Sequence, residues 1–189
     1  MYNERVLCAG FGGQGIMSLG KLIACAGMLA DRHVTWMPSY GPEMRGGTAY
    51  CSVVVSHQPV GSPIVTTNAS SLIVMNRPSF ERFEQSVVPG GLILMNSSLI
   101  DRTVQRTDIQ VYTVAANDLA AASAVPKAAN MVMLGAYMAL KGAPEMDHVR
   151  EAFKEVFGTR SKNVFQLNMR AIKAGMEAIP GPRETQKAA

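Results

Sequence analysis

Apolar residues recur along this chain with two periods, and the changes of period mark its elements. Residues 5–9, RVLCA, form a short apolar run that reads as a buried strand. From Gly13 to Ala30 the spacing becomes helical, with Ile16, Leu19, Ile23, Ala26 and Ala30 in step. Gly20, Ala24 and Gly27 keep one side of that helix thin, which permits close approach to a sheet. Residues 34–37 read as a second strand ended by Pro38. Residues 48–56, TAYCSVVVS, are rich in β-branched side chains and read as a third.

The stretch between them, residues 39–47, has two glycine clusters and a proline and reads as loop; residues 57–67, with Pro59, Gly61 and Pro63, read as a turn-rich excursion. Residues 72–75 predict a strand, and Pro78 opens a helix through about Gln85. Pro89-Gly90-Gly91 predicts a turn into a strand at 92–95, with another at 109–114. Asn117 is placed to cap a short alanine-rich helix to 124, and an apolar helix over 130–141 closes at Gly142. Residues 144–157 carry Met146, Val149, Phe153 and Val156 on one stripe; Ser161 caps a last helix to 179 with stripe Val164, Leu167, Ala171 and Ala174.

Strands alternating with helices early, and helices late, predict an α/β fold: a three-layer α/β/α domain with a mostly parallel, Rossmann-like sheet. Residues 38–67 contain no helix, so some antiparallel pairing is expected there. The domain is expected to span residues 1–179, with 180–189 as a flexible tail.

Charged residues make up 17% of the 189, against roughly a quarter in ordinary soluble domains, so part of the surface is expected to face other subunits. Thirteen methionines suit either adaptable buried contacts or a Met-rich core. The net charge of +4 comes without basic runs interleaved with aromatics, which argues against nucleic acid and fits acidic small molecules or partners. Cys8, Cys25 and Cys51 are widely spaced with no C-x-x-C, so this chain alone builds neither a zinc nor an iron–sulfur ligand set. His33, His57 and His148 are scattered and read as structural or exposed. The N-terminus has no signal-peptide pattern and Lys21 interrupts the best apolar run, so a soluble, cytoplasmic protein without membrane contact is expected.

Two stretches carry candidate chemistry. In GFGGQGIMSLG, Gly10, Gly12 and Gly15 fit G-x-G-x-x-G between a strand and a helix, a geometry that offers free N–H groups to an anion. Three readings stand: a dinucleotide site, a tight turn for helix–sheet packing, or a site for an anionic or polar group of another molecule. A dinucleotide site wants an acid at the end of the second strand, whereas Asp31 precedes that strand. Gln14 is the turn's amide side chain, able both to donate and to accept. In SYGPEMRGG, Arg45 followed by Gly46 and Gly47 suits a carboxylate or phosphate, with Glu43 two residues before it. No G-x-S-x-G elbow, Walker loop or complete catalytic set occurs, as in a component of a larger enzyme.

GFGGQGIMSLGKLIA, PSYGPEMRGGTAYCSVVVS, PVGSPIV and AANMVMLGAYMALKG together resemble the gamma subunit of 2-oxoacid:ferredoxin oxidoreductases, over about residues 3–175. The resemblance implies oxidative decarboxylation of a 2-oxoacid to an acyl-coenzyme A. Thiamine diphosphate, magnesium and [4Fe-4S] clusters would be held by alpha and beta subunits, optionally with a ferredoxin-like delta, and electrons would pass to ferredoxin. It implies no tightly bound cofactor and no complete catalytic set in this chain. Tyr40, Glu43 and Arg45 would complete the assembled site; Gly10, Gly12, Gly13, Gln14, Gly15, Arg45, Gly46 and Gly47 would line the region where coenzyme A approaches. SYGPEMRGGT with GSPIV looks most like the 2-oxoglutarate and branched-chain types, with 2-oxoglutarate favoured. The alternatives are a stand-alone NAD(P)-binding oxidoreductase and a non-catalytic interaction domain.

Overall fold

The computed structural model describes residues 3–39, 48–158 and 161–179. In chain order the elements are β1 (Asn3–Phe11), α1 (Ile16–Leu29), β2 (His33–Ser39), β3 (Thr48–Ser56), β4 (Ala69–Val74), α2 (Arg77–Phe83), β5 (Val87–Asn96), β6 (Gln110–Val114), α3 (Ala116–Ala122), α4 (Ala129–Lys141), α5 (Met146–Phe157) and α6 (Lys162–Glu177).

The strands form one sheet in the order β2-β3-β1-β4-β5-β6. β1 pairs parallel with β4, β4 with β5 and β5 with β6, while β3 runs antiparallel to both β1 and β2. Five described strands therefore share one direction, and β3 supplies the antiparallel pairing expected of the helix-free stretch. Val6, Leu7, Cys8 and Ala9 at the centre of β1 are fully buried. Their alternation divides the core: Val6 and Cys8 face the cluster under α1, α3, α4, α5 and α6, and Leu7 and Ala9 face the one under α2. Helices cover both faces unequally. On the α2 side, Phe80 and Phe83 share the cover with Val65 and Ile100 from the connecting chain.

The thin side of α1 lies against β3. A Cβ at Gly20 would run into Cys51 Sγ, and one at Gly27 would come within 2.9 Å of Val55 Cγ1. α5 packs over α1, with Val149 and Phe153 buried and Met146 and Val156 packed against the core, as its stripe predicts.

Three local expectations are corrected. Val87–Asn96 is one strand: Ala69 pairs with Val87 but Ser71 with Leu92, so residues 88–91 bulge out of the ladder. Gly90, at φ +78°, sits in that bulge and donates its N–H to the Asp108 carbonyl at 2.6 Å. Asn117 lies inside α3, whose N-cap is Ala115. On α6 the buried positions are Ala171, Ile172 and Gly175, with Phe165 and Met169 packed against the core; Val164 is half-exposed, so the stripe is rotated by about one residue. Ser161 does cap α6, accepting from the Val164 N–H. Residues 180–189 lie outside the described residues. Among those described, no helix is long and apolar enough to cross a membrane.

Candidate functional site

β1, β4, β5 and β6 end on one edge of the sheet, and the helices that follow β1, β4 and β6 begin there. In open α/β sheets this carboxyl edge is where ligands collect. The glycine turn occupies it. Gly10 is still in the ladder opposite Ala49, Gly13 has φ +90°, and Gly15 has φ +75° as the N-cap of α1. Phe11, Gly12 and Gly13 are exposed, so the turn presents backbone and one aromatic ring to solvent.

Gln14 locks the turn from beneath. Its Oε1 accepts from the Phe11 N–H at 2.7 Å and from Asn76 Nδ2 at 3.0 Å, and its Nε2 lies 3.5 Å from the Met75 carbonyl. A Cβ on Gly10 would come 2.7 Å from that same Oε1. Asn76 in turn caps α2, accepting from the Ser79 N–H at 2.9 Å.

The carboxamides continue along the edge. Asn96, fully buried at the end of β5, donates to the Met75 carbonyl at 3.4 Å and to Asn117 Oδ1 at 2.8 Å. Its Oδ1 accepts from the Ala116 N–H at 3.1 Å, which caps α3 from another element. Ser98 Oγ accepts the Asn117 and Asp118 N–H groups and donates to Asp118 at 2.9 Å. Sequence reading missed Asn76, Asn96 and Asn130, because a single asparagine has no periodicity; their positions two residues past β4, at the last residue of β5 and in the first turn of α4 were the available signal.

These caps leave an asymmetry. α2 and α3 have side-chain oxygens on their first turns, whereas α1 and α4 have no side-chain cap and no acid in the first turn. The two uncapped starts touch, since Asn130 in the first turn of α4 donates to the Gly15 carbonyl at 3.2 Å. Uncapped N–H groups at two helix starts in contact favour a negative group here. Lys127, exposed just before α4, adds a positive charge that sequence reading also missed.

Tyr40, Glu43, Arg45, Gly46 and Gly47 lie outside the described residues. The chain enters that stretch at Ser39 and leaves it at Thr48, both at this edge, and Thr48 pairs with Phe11 beside the glycine turn. Asp31 is at the opposite edge, past the end of the 14-residue α1 and so about 20 Å of helix from the turn. β3 also separates β2 from β1, where a dinucleotide-binding sheet would place them side by side.

The thiols offer no nucleophile. Cys8 and Cys51 face each other across the β1–β3 ladder, both fully buried. The hydrogen bond with Cys51 and then burial push the Cys8 thiol well above its ordinary range, so it stays protonated. Among the described residues no three His, Cys, Asp or Glu side chains gather to hold a metal ion. The edge can bind and orient a negative group.

A family model described as pyruvate ferredoxin/flavodoxin oxidoreductase matches residues 5–178. Ketoisovalerate oxidoreductase subunit VorA of Methanothermobacter thermautotrophicus is 41% identical over 175 residues, 92% of this chain but 36% of that protein. This chain therefore spans about a third of the length of that relative. 2-Oxoglutarate synthase subunit KorC of Methanocaldococcus jannaschii is 28% identical over 170 residues, 87% of this chain and 90% of that one. The fold matches the gamma subunit of a keto/oxoacid ferredoxin oxidoreductase from Geobacter sulfurreducens with a TM-score of 0.76 and 25% identity, covering 93% of this chain and 97% of that one. The glycine turn on the carboxyl edge lies within the matched residues 5–178, and the chain belongs to the pyruvate ferredoxin/flavodoxin oxidoreductase family.

Proposed function

We propose that this chain is the gamma component of a multisubunit 2-oxoacid:ferredoxin oxidoreductase that converts a branched-chain 2-oxoacid and coenzyme A to an acyl-coenzyme A, with electrons passed to ferredoxin. The observation that carries the reading is the pair of uncapped helix starts meeting at Gly15 and Asn130 beside an exposed glycine turn. Such an edge suits a phosphate or carboxylate that another subunit's chemistry requires. Thiamine diphosphate and [4Fe-4S] clusters, held by alpha and beta subunits, would supply decarboxylation and electron transfer.

The work of this chain is then binding and orientation. The N–H groups at the starts of α1 and α4, with Lys127, hold a negative part of coenzyme A. Gln14, held by Asn76, and Asn130, bonded to Gly15, keep those N–H groups aimed without rearrangement when the ligand arrives. Arg45, in the stretch anchored by Ser39 and Thr48, adds a charge-assisted contact to the ligand or to the partner chain.

The branched-chain substrate rests on the 41% identity to the ketoisovalerate subunit. The second reading is 2-oxoglutarate, which sequence reading favoured on SYGPEMRGGT with GSPIV; the 28% identity to the KorC relative supports it. Anaerobic affinity purification from the host, followed by dye reduction with 2-oxoisovalerate, 2-oxoglutarate and pyruvate side by side, tests both. A coenzyme-A-dependent activity with larger chains in the eluate is expected, with 2-oxoisovalerate fastest. A solitary, inactive chain from a host making the complex would overturn the subunit reading. Arg45→Ala in the active complex is expected to raise KM for coenzyme A or lower turnover.

A further inference from the structure

At the opposite end of α1 from the glycine turn, a cavity of about 410 Å³ opens between the end of α1, the end of β3 and the loop leading into α5. Its inner wall is apolar and belongs to the core: Ile23, Ala26 and Val55 are at most 5% exposed. Its rim is charged with both signs, carrying Asp31, Arg32 and Glu145. It also brings together His57 and His148, which lie far apart in sequence.

Arg32 is half-buried, and among the described residues its guanidinium makes no ion pair or hydrogen bond. Asp31 and Glu145 are exposed, so water solvates their carboxylates, and neither has a partner among those residues. His148 Nδ1 is buried without a hydrogen-bond partner. The 12-residue α5 starts at this cavity with no side-chain cap; Asp147 in its first turn is paired with Arg150. Partly buried charges are ordinarily paired, so a half-buried free guanidinium beside a cavity marks a missing counter-group.

We infer that this cavity binds a small zwitterion with an aliphatic side chain, an α-amino acid by chemical class. A simple anion would satisfy Arg32 and the α5 start but would face two carboxylates. A simple cation would meet the reverse. A zwitterion matches both: its carboxylate toward Arg32 and the α5 N–H groups, its ammonium toward Asp31 and Glu145. The apolar wall takes the side chain, and the volume lies within the usual range for small-molecule sites. The inference does not depend on the oxidoreductase reading, since the cavity and the glycine turn occupy opposite edges.

The test is equilibrium dialysis of the native protein, purified with its companion chains, against labelled leucine. Saturable binding displaced by unlabelled leucine and valine is expected. The matching 2-oxoacid, which lacks the ammonium, and isoamylamine, which lacks the carboxylate, should not displace it. Arg32→Gln and Asp31→Asn should each weaken binding roughly tenfold or more, the loss typical of a charge-assisted contact, with melting temperature unchanged. Asn tolerates the φ of +53° at position 31, so that variant should fold. No saturable binding at millimolar ligand, equal displacement by the 2-oxoacid, or binding that survives both substitutions would each overturn the inference.

Discussion

The side-chain amide of Asn130 donates to the Gly15 carbonyl at 3.2 Å, joining the starts of two helices 115 residues apart in sequence. A Cβ at Gly15 would overlap that same amide, and Gly15 has φ +75°. Gly15→Ala should therefore cost about 2–4 kcal/mol in urea unfolding, combining left-handed backbone strain with displacement of Asn130. The double variant with Asn130→Ala removes the overlap but not the strain. It should recover about 1 kcal/mol or more relative to the sum of the single losses. Strict additivity would mean the two residues are not in contact.

Asn96 serves three neighbours from one buried side chain. Asn96→Ala should cost about 2 kcal/mol, since it removes a cap, deprives Asn117 Oδ1 of its donor and leaves the Met75 carbonyl only the 3.5 Å contact from Gln14. The loss should concentrate at the start of α3: hydrogen exchange at Ala116 should accelerate far more than in the middle of α4.

What the sequence revealed follows from how local each feature is. The bounds of β3, the thin side of α1 and the cap at Ser161 are set by neighbours in the chain, and all appear as read. The carboxamide line fails that condition. Asn96 and Asn117 meet only because β5 and β6 are adjacent and parallel, and nothing near either residue announces it. Pro89-Gly90-Gly91 shows the intermediate case: the sequence marks a break in regular backbone, but only the pairing with β4 decides that it is a bulge within one strand. The glycine turn was legible as a turn, while its lock by Asn76 and its contact with α4 required the fold.

The thiols give a pH-dependent prediction. Cys8 is raised well above the ordinary thiol range by its hydrogen bond to Cys51 and by burial, and Cys25 is raised by burial and by Glu155, against an opposing pull from Lys21. A thiol raised in the folded state leaves stability intact below its unfolded pKa. Above about pH 8.5 the unfolded chain ionises first, so stability should fall with rising pH, by up to about 1.4 kcal/mol per pH unit for each such thiol. Urea midpoints at pH 7, 8, 9 and 10 should decline only over the last steps, and Cys8→Ser should flatten part of that decline. With a thiol-specific reagent at pH 7, the partly exposed Cys25 should react slowly, and Cys8 and Cys51 only after unfolding.

The sharpest test of the helical layer is where α4 meets α6. A Cβ on Gly135 would run into the Ile172 carbonyl, and a Cβ on Gly175 would run into the Val132 carbonyl. The contact is reciprocal, each glycine admitting the other helix's backbone. Alanine has the better helix propensity by about 1 kcal/mol, so on propensity alone Gly135→Ala and Gly175→Ala should stabilise. The clash opposes this, and it is with main chain, which cannot rotate away as a side chain would. The helices would have to separate, opening gaps around the buried Ala171, Ile172 and Val132. The clash should win, with a net loss of about 3 kcal/mol or more for either variant, a large share of an ordinary domain's stability. Because one separation relieves both overlaps, the double variant should lose much less than the sum of the singles. Limited proteolysis should then cut within α6 while the sheet remains protected. A gain in melting temperature for either single variant would show that the two backbones do not touch.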